Sequence, residues 1–338
     1  MQKQHSVGSI IGLSAVMLVL ILDIRTAIES ASQAISLCIT TVIPSLFPMM
    51  VLSSLLTDRI AASTTHSTGK LCSALGIPSG QEGLIVSGFL GGYPVGAACI
   101  GTQYRMGNLE RRDAEHLLYF CSNVGPSFLF GICGQLFSSK PAVWVLWAVH
   151  ITSALMVGIT HINKTTEHYK QHKNTVRSTP EIIRSAMANM GVICGWVVMF
   201  RVIIQFSQKW LFCYLPTEIG IIISGILELT NGSCMLNQIK NELLRFVICS
   251  VTLAFGGICV IMQTASVISP LSTASYLRGK ITQSLYSLIL SASTGYVIYT
   301  NFTGLIKTVL ITLILITPPT LLYLYKKMVA FSEKCAIM

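Results

Sequence analysis

Glu228 is the residue whose type and position most clearly suggest chemistry. It follows the apolar run Ile219–Leu227 and precedes the polar residues Thr230 and Asn231. An acidic side chain at membrane depth is costly unless it is paired or hydrated, so such residues commonly mark a solute or proton pathway. We therefore interpret Glu228, Thr230 and Asn231 as candidate binding residues. The alternative is that the helix ends early and that Glu228 lies in interfacial water.

A glycine-rich stretch supplies the second candidate region. Gly88–Gly96 contains four glycines and a proline, so Leu84–Tyr104 cannot form one continuous helix. We predict a re-entrant hairpin, in which two half-helices meet at a turn within the membrane. The tyrosine at this turn could bind a ligand or serve only in packing. The candidate binding residues at the turn are Gly91, Gly92, Tyr93 and Pro94.

A broken helix supplies the third region. Leu117–Phe137 is interrupted at Gly125-Pro126, which leaves carbonyl groups without intrahelical partners. Such carbonyls and the adjacent half-helix ends can coordinate a polar solute or a cation. A structural kink would explain the same residues. The polar candidates beside the break are Ser122, Asn123 and Ser127.

Two further polar residues lie inside apolar runs. Gln263 follows Gly256-Gly257 and could line the same cavity or form a helix-to-helix hydrogen bond. Arg201 could pair with Glu228 or extend its guanidinium to the membrane interface.

Metal, redox and enzymatic signatures are missing from the sequence. His168 and His172 have an i, i+4 spacing, but no cysteine or carboxylate completes a ligand set, so no metal site is predicted. The 11 cysteines show no C-x-x-C motif and are interpreted as small buried hydrophobic residues. There is no H-E-x-x-H, G-x-S-x-G or Walker motif, so we predict neither an enzyme nor a cofactor. Na⁺ or H⁺ could still act as a coupling ion.

The composition requires an apolar environment. The 338 residues are 52% hydrophobic and only 11% charged, whereas soluble domains carry about a quarter charged residues. Apolar runs recur at the length of about 20 residues that spans a bilayer. The net charge of +10 resides in short connections without interleaved aromatic residues, so no nucleic-acid partner is predicted.

These segments predict an all-α polytopic membrane protein with about eight transmembrane helices and two re-entrant helical hairpins. The stretch Ile10–Leu22 is interpreted as an uncleaved first helix. If the N-terminus is cytoplasmic and neither hairpin crosses, most of the 23 Lys and Arg residues, Lys280 among them, fall on the cytoplasmic side. The C-terminus is then cytoplasmic too, in a multi-pass protein of the cell membrane.

The two halves of the chain are weakly similar to each other. Gly88–Gly96 corresponds to Gly225–Gly232, and a constant offset pairs Gly131-Ile132-Cys133 with Gly257-Ile258-Cys259. In the predicted topology the two hairpins enter from opposite sides. This is an inverted repeat, the architecture of many secondary transporters.

Five motifs, in the same order along most of the chain, carry a resemblance to a known family. They are Val42–Pro48, Gly88–Ala97, Phe120–Pro126, Gly225–Gly232 and Phe255–Gly257. They resemble the sporulation integral membrane protein family (YlbJ-type), which carries the nucleoside-recognition, or Gate, domain. That domain is similar to the core of concentrative nucleoside transporters, whose two re-entrant hairpins flank the substrate. Unlike those transporters, this chain has no acidic residue in its first hairpin.

The resemblance implies a cell-membrane protein required for spore formation, and at most a nucleoside-like solute. The expected organisation is N-terminal helices at 1–80, a first Gate-like repeat at 81–162, a basic cytoplasmic loop at 163–181, a second Gate-like repeat at 182–300, and a C-terminal helix with a basic tail at 301–338.

The predicted function is the binding or passage of a small polar solute or ion between the hairpin tips. A non-transporting scaffold for assembly of the spore envelope is the alternative. The expected partners are the lipid bilayer, the solute, and either further copies of the chain or other sporulation membrane proteins.

Overall fold

The computed structural model describes residues 7–62, 70–162, 176–300 and 302–337. These residues form helices joined by turns, without a strand, which confirms the predicted all-α class. The segment 163–175, with His168 and His172, lies outside the described residues. Five helical stretches are long and apolar enough to cross a membrane: Ile24–Ala62, Lys140–Thr160, Thr179–Trp210, Glu242–Ile268 and Gly304–Val329.

The first half of the chain contains α1 (Val7–Leu22), α2 (Ile24–Leu37), α3 (Ile43–Ala62), α4 (Lys70–Ala74), α5 (Gly83–Leu90), α6 (Val95–Arg105), α7 (Arg111–Leu118), α8 (Pro126–Gly131) and α9 (Lys140–Thr160). The second half contains α10 (Thr179–Trp210), α11 (Thr217–Leu227), α12 (Leu229–Met235), α13 (Glu242–Phe255), α14 (Gly257–Ile268), α15 (Thr273–Tyr299) and α16 (Gly304–Ile337). Most large side chains of α1 and α16 are exposed and apolar, as expected of helices that face lipid.

A long antiparallel helix pair forms one wall of the molecule. A π-helical turn at Cys38–Val42 joins α2 to α3, and this continuous helix packs against α10. At one end Lys209 Nζ lies 2.6 Å from the Asp23 carboxylate. At the other end Arg177 Nε lies 2.8 Å from the Asp58 carboxylate. We call these the Asp23 end and the Asp58 end of the pair.

Both glycine-rich segments form tight helical hairpins, α5–α6 and α11–α12. A Cβ on Gly96 would lie 2.7 Å from Gly88 Cα, and a Cβ on Gly232 would lie 2.2 Å from Gly225 Cα. Because real Cβ atoms do not approach other atoms so closely, only glycine allows the two legs of each hairpin to pack together. In both hairpins the glycines at the ends of the predicted segments, Gly88 with Gly96 and Gly225 with Gly232, lie where the two legs touch.

The two hairpins begin at opposite ends of the long helix pair. The first leg of α5–α6 starts with Gly83, whose Cβ position lies 2.9 Å from Thr57 Cα at the Asp58 end. The first leg of α11–α12 carries Gly220, which packs on Phe212 just beyond the last turn of α10. The second hairpin thus begins at the Asp23 end.

Each half also contains a broken helix, but the two breaks differ in length. Between α7 and α8 the chain is non-helical up to Gly125, and Pro126 begins the new helix. Between α13 and α14 a single left-handed residue, Gly256 (φ 80°), makes the break. The constant offset from Gly131 to Gly257 is therefore wrong as a structural pairing, because Gly131 ends α8 whereas Gly257 begins α14.

One charge assignment from the sequence is also wrong. Lys280 is expected among the charges of a cytoplasmic connection, but it lies within α15 and is fully buried, so it is not a surface charge of such a connection. Helix α15 packs chiefly against α13 and α9, so this side of the helix faces the core.

Candidate functional site

A cavity of about 310 Å³ lies where the hairpins, the broken helices and the long helix pair meet. Its wall is formed by both hairpin turns, by the first helix break with α8, and by α14, which follows the second break. Helix α10 and the junction of α2 and α3 complete the wall. Its polar lining residues are Thr41, Ser45, Tyr93, Ser127, Glu228, Thr230 and Gln263.

The structure brings six of the eleven candidate residues to this cavity and places five behind it. The lining residues are Gly92, Tyr93, Ser127, Glu228, Thr230 and Gln263. The residues that do not line it are Gly91, Pro94, Ser122, Asn123 and Asn231.

The turn of the first hairpin is fastened to the core. Gly92 adopts φ 84°, which a residue with a side chain rarely does, and so turns the chain. The Tyr93 hydroxyl donates to the carbonyls of Leu253 (3.1 Å) and Ala254 (3.2 Å) at the end of α13. The structure thus shows the packing role of the tyrosine, and its ring also borders the cavity.

Lys280, which sequence reasoning did not select, lies directly behind this turn. Its ammonium donates to the Ser122 carbonyl (2.6 Å), to Gln283 Oε1 (2.6 Å) and to the Tyr93 hydroxyl (3.1 Å). It also lies 4.9 Å from the centroid of the Tyr93 ring, within the range of a cation–π contact. The sequence signal that could have identified this residue is the pair Lys280 and Gln283, which lie one turn apart on the same face of a helix.

Asn123 holds the first helix break in place. Its Nδ2 donates to the carbonyls of Phe120 (2.7 Å) and Gly88 (3.2 Å), while Gln283 Nε2 donates to its Oδ1 (3.0 Å). Its side chain is fully buried and satisfies local backbone, as the structural alternative proposed. Asn123 therefore positions the break instead of lining the cavity.

The turn of the second hairpin is organised by Glu228, which is only 3% exposed. The carboxylate caps α12 by accepting from the backbone N–H groups of Thr230 (2.9 Å) and Asn231 (2.8 Å). It also accepts from Asn231 Nδ2 at 2.8 Å. A carboxylate at the start of a helix is favoured by the helix dipole as well as by these bonds.

The predicted pairing of Arg201 with Glu228 is wrong in its direct form, because Asn231 lies between them. Arg201 donates one hydrogen bond to Asn231 Oδ1, and Asn231 Nδ2 donates to Glu228. The other guanidinium nitrogen of Arg201 donates to Gln33 Oε1 on α2 at 3.0 Å. The arginine thus connects the second hairpin to the long helix pair.

The second break contributes Gln263 and a close backbone contact. Gln263 lines the cavity from α14, and its Nε2 lies 3.3 Å from Cys259 Sγ one turn earlier. A Cβ on Gly256 would lie 3.2 Å from the Tyr93 ring. The second break therefore packs against the turn of the first hairpin.

The donor set of the cavity contains neither a histidine nor a cysteine. Among the residues that the structure describes, no group of three or more His, Cys, Asp or Glu side chains could hold a metal ion. The ten cysteines whose side chains the structure describes, from Cys38 to Cys259, are free thiols.

The long apolar helices, which surround a partly open cavity with a mainly apolar lining and a few polar groups, define a multi-pass, all-helical integral membrane protein. Comparison with known proteins gives a more particular likeness. The chain is 25% identical over 293 residues to the "Sporulation integral membrane protein YlbJ" of Bacillus subtilis (strain 168). The alignment covers 72% of this chain and 71% of that protein, which supports the resemblance to its family. No protein-family model and no solved structure matches the chain.

Proposed function

We propose that the chain binds a small polar solute or ion in the central cavity and carries it across the membrane during sporulation. The observation that supports this most directly is that both hairpin turns, the first helix break and the helix after the second break line one cavity. At the turns and the first break, backbone groups lack helical partners and can serve a guest molecule. The sporulation role rests on the similarity to the YlbJ protein.

The proposed topology has eight crossing passes and two re-entrant hairpins in an inverted repeat. The starts of the hairpins at opposite ends of the long helix pair, with both turns at the cavity, support this arrangement. Transport would proceed by alternate exposure of the cavity to the two sides, with Na⁺ or H⁺ as a coupling ion and no catalysis. The Gate-like repeats at 81–162 and 182–300 belong to the same proposal.

The test compares Glu228→Gln with Glu218→Gln, an exposed acidic residue in the first turn of the same hairpin. We expect spores carrying Glu228→Gln to lose a small polar solute that wild-type and Glu218→Gln spores contain, as measured by comparing spore metabolites with those of a deletion strain. Normal sporulation and an unchanged metabolite profile in Glu228→Gln spores would contradict a solute site and favour the scaffold.

A further inference from the structure

A second polar groove lies between α2 and α10 at the Asp23 end. Its volume is about 330 Å³, and every residue that lines it is polar: Thr26, Glu29, Ser30, Gln33, Gln205, Gln208 and Lys209. The lining residues of α2 run from Thr26 to Gln33, so the groove extends about 10 Å along that helix. That distance is about a third of a hydrocarbon core. Polar side chains at this depth are costly in lipid, which indicates a water-filled space.

Arg201 closes the inner end of this groove. Its guanidinium spans from Gln33 on α2 to Asn231 on α12, and Asn231 in turn contacts Glu228 in the wall of the central cavity. A chain of hydrogen bonds through Arg201 and Asn231 thus links Gln33 in the groove to Glu228 in the wall of the cavity.

The charges along this bridge bear on which solutes could pass. Arginine keeps its proton at all physiological pH values, so the guanidinium opposes an approaching cation and cannot relay protons. The opposite charge of Glu228 is already satisfied by three donors from Thr230 and Asn231. From the groove the guanidinium comes first and the carboxylate lies behind Asn231, so the groove side of the bridge opposes cations, whereas its amides can exchange hydrogen bonds with a neutral polar solute.

We propose that the α2–α10 groove is the access route to the central cavity from the Asp23 end, and that Arg201 is its gate. The route admits small hydrophilic organic solutes and excludes inorganic cations, so a coupling Na⁺ or H⁺ would have to reach the cavity by another path. This inference rests on the proposed function of the cavity and narrows its solute class.

The test measures access to an engineered cysteine. Thr230→Cys is placed in the cavity of the full-length chain in lipid vesicles, with the exposed Cys213 and Cys234 changed to serine. Two methanethiosulfonate probes of similar size are used, one bearing a hydroxyl and one bearing a trimethylammonium group. Each labelling rate is divided by the rate of the same probe with a free thiol in solution.

We expect Arg201→Ala to raise labelling by the cationic probe about tenfold and labelling by the hydroxyl probe much less, because an electrostatic barrier is removed. Gln33→Ala, which removes one support of the gate, should raise the cationic rate by a smaller factor. The matched control is Arg184→Ala, an exposed arginine on the same helix, which should change neither rate. Gln33→Cys should react with both probes in the otherwise unchanged chain.

Three results would overturn the inference. If Thr230→Cys reacts but neither Arg201→Ala nor Gln33→Ala changes its rates, the route and the gate are wrong while the aqueous cavity stands. If Gln33→Cys is unreactive, the groove is not aqueous. If Thr230→Cys reacts in no variant, the cavity itself is closed to water, and the proposed function fails with the route.

Discussion

The two hairpin turns are held in different ways. The first is fastened by residues distant in sequence, since Tyr93 bonds to the end of α13 and Lys280 reaches it from α15. The second is held by the cap from Glu228, by the bridge from Arg201 and by packing against Gly257 at the start of α14. This contrast indicates that the first turn has the more side-chain hydrogen bonds to distant segments, whereas the second depends more on its own cap and on packing.

The bases of the two hairpins, one at the Asp58 end and one at the Asp23 end of the long helix pair, also differ in how firmly they are bonded. At the Asp58 end the carboxylate of Asp58 is 1% exposed and accepts from Arg177 and from Gln103 on α6. At the Asp23 end the Lys209–Asp23 pair is open to solvent, with the lysine side chain 49% exposed. The first hairpin is therefore tied at both its base and its turn.

The largest effect is expected from Arg177→Met, which removes the cation from the buried ion pair at the Asp58 end. The variant leaves the Asp58 carboxylate buried without its cation, which should cost about 3 kcal/mol of stability. Thermal unfolding of the detergent-solubilised chain measures the loss. Arg177→Met combined with Asp58→Leu should recover much of it. Lys209→Met should lower the unfolding temperature far less, and equal losses at the two ends would contradict the contrast.

Tyr93→Phe should have an intermediate effect. It removes the hydroxyl that bonds to two carbonyls and receives the Lys280 ammonium, at a cost of roughly 1–2 kcal/mol. The same unfolding assay applies. Tyr286→Phe is the control, because that hydroxyl bonds to Thr160 on α9, outside the cavity lining. Glu228→Gln, which keeps an amide oxygen for the α12 cap, should cost less than Tyr93→Phe. The reverse order would mean that the second turn is the more firmly held.

The smallest expected effect is a change of stability with pH that arises from the exposed Lys209–Asp23 pair at the Asp23 end. The Lys209 ammonium, which donates a hydrogen bond to Asp23, holds the pKa of that carboxyl below its ordinary value of 3.8. A carboxyl with a lowered pKa stabilises the fold above its ordinary pKa, and this contribution disappears as the pH falls through the lowered value. We expect a slight decrease in unfolding temperature below pH 4 that is absent from Asp23→Asn. Identical acid profiles for the two proteins would contradict a role for this pair.

Local composition was sufficient to locate the turns and breaks. Glycines spaced seven or eight residues apart determine where the hairpin legs cross, and Gly125-Pro126 cannot continue a helix, so both features could be found without knowing any partner. Glu228 was identifiable because a carboxylate in an apolar run is costly.

Contacts between distant segments could not be predicted in the same way. Lys280 was counted with the cytoplasmic charges because it lies near the start of a helix, and its neighbours Ser122 and Tyr93 are more than 150 residues away. Charge and position leave Arg201 either to pair with Glu228 or to reach the membrane interface, whereas the structure inserts an amide between the two charged groups. The groove between α2 and α10 likewise depends on which faces of two remote helices meet.

The helix that runs from α2 into α3 is about 60 Å long and is attached to α10 at both of its ends. Because the two helices are bonded to each other at both ends, they cannot slide along each other, and any relative motion has to bend them in the middle. The widened turn at Cys38–Val42, followed by Pro44 and Pro48, occupies that middle and has the weakest helical ladder. The fold thus concentrates its bending at the level of the central cavity, which this part of the helix lines.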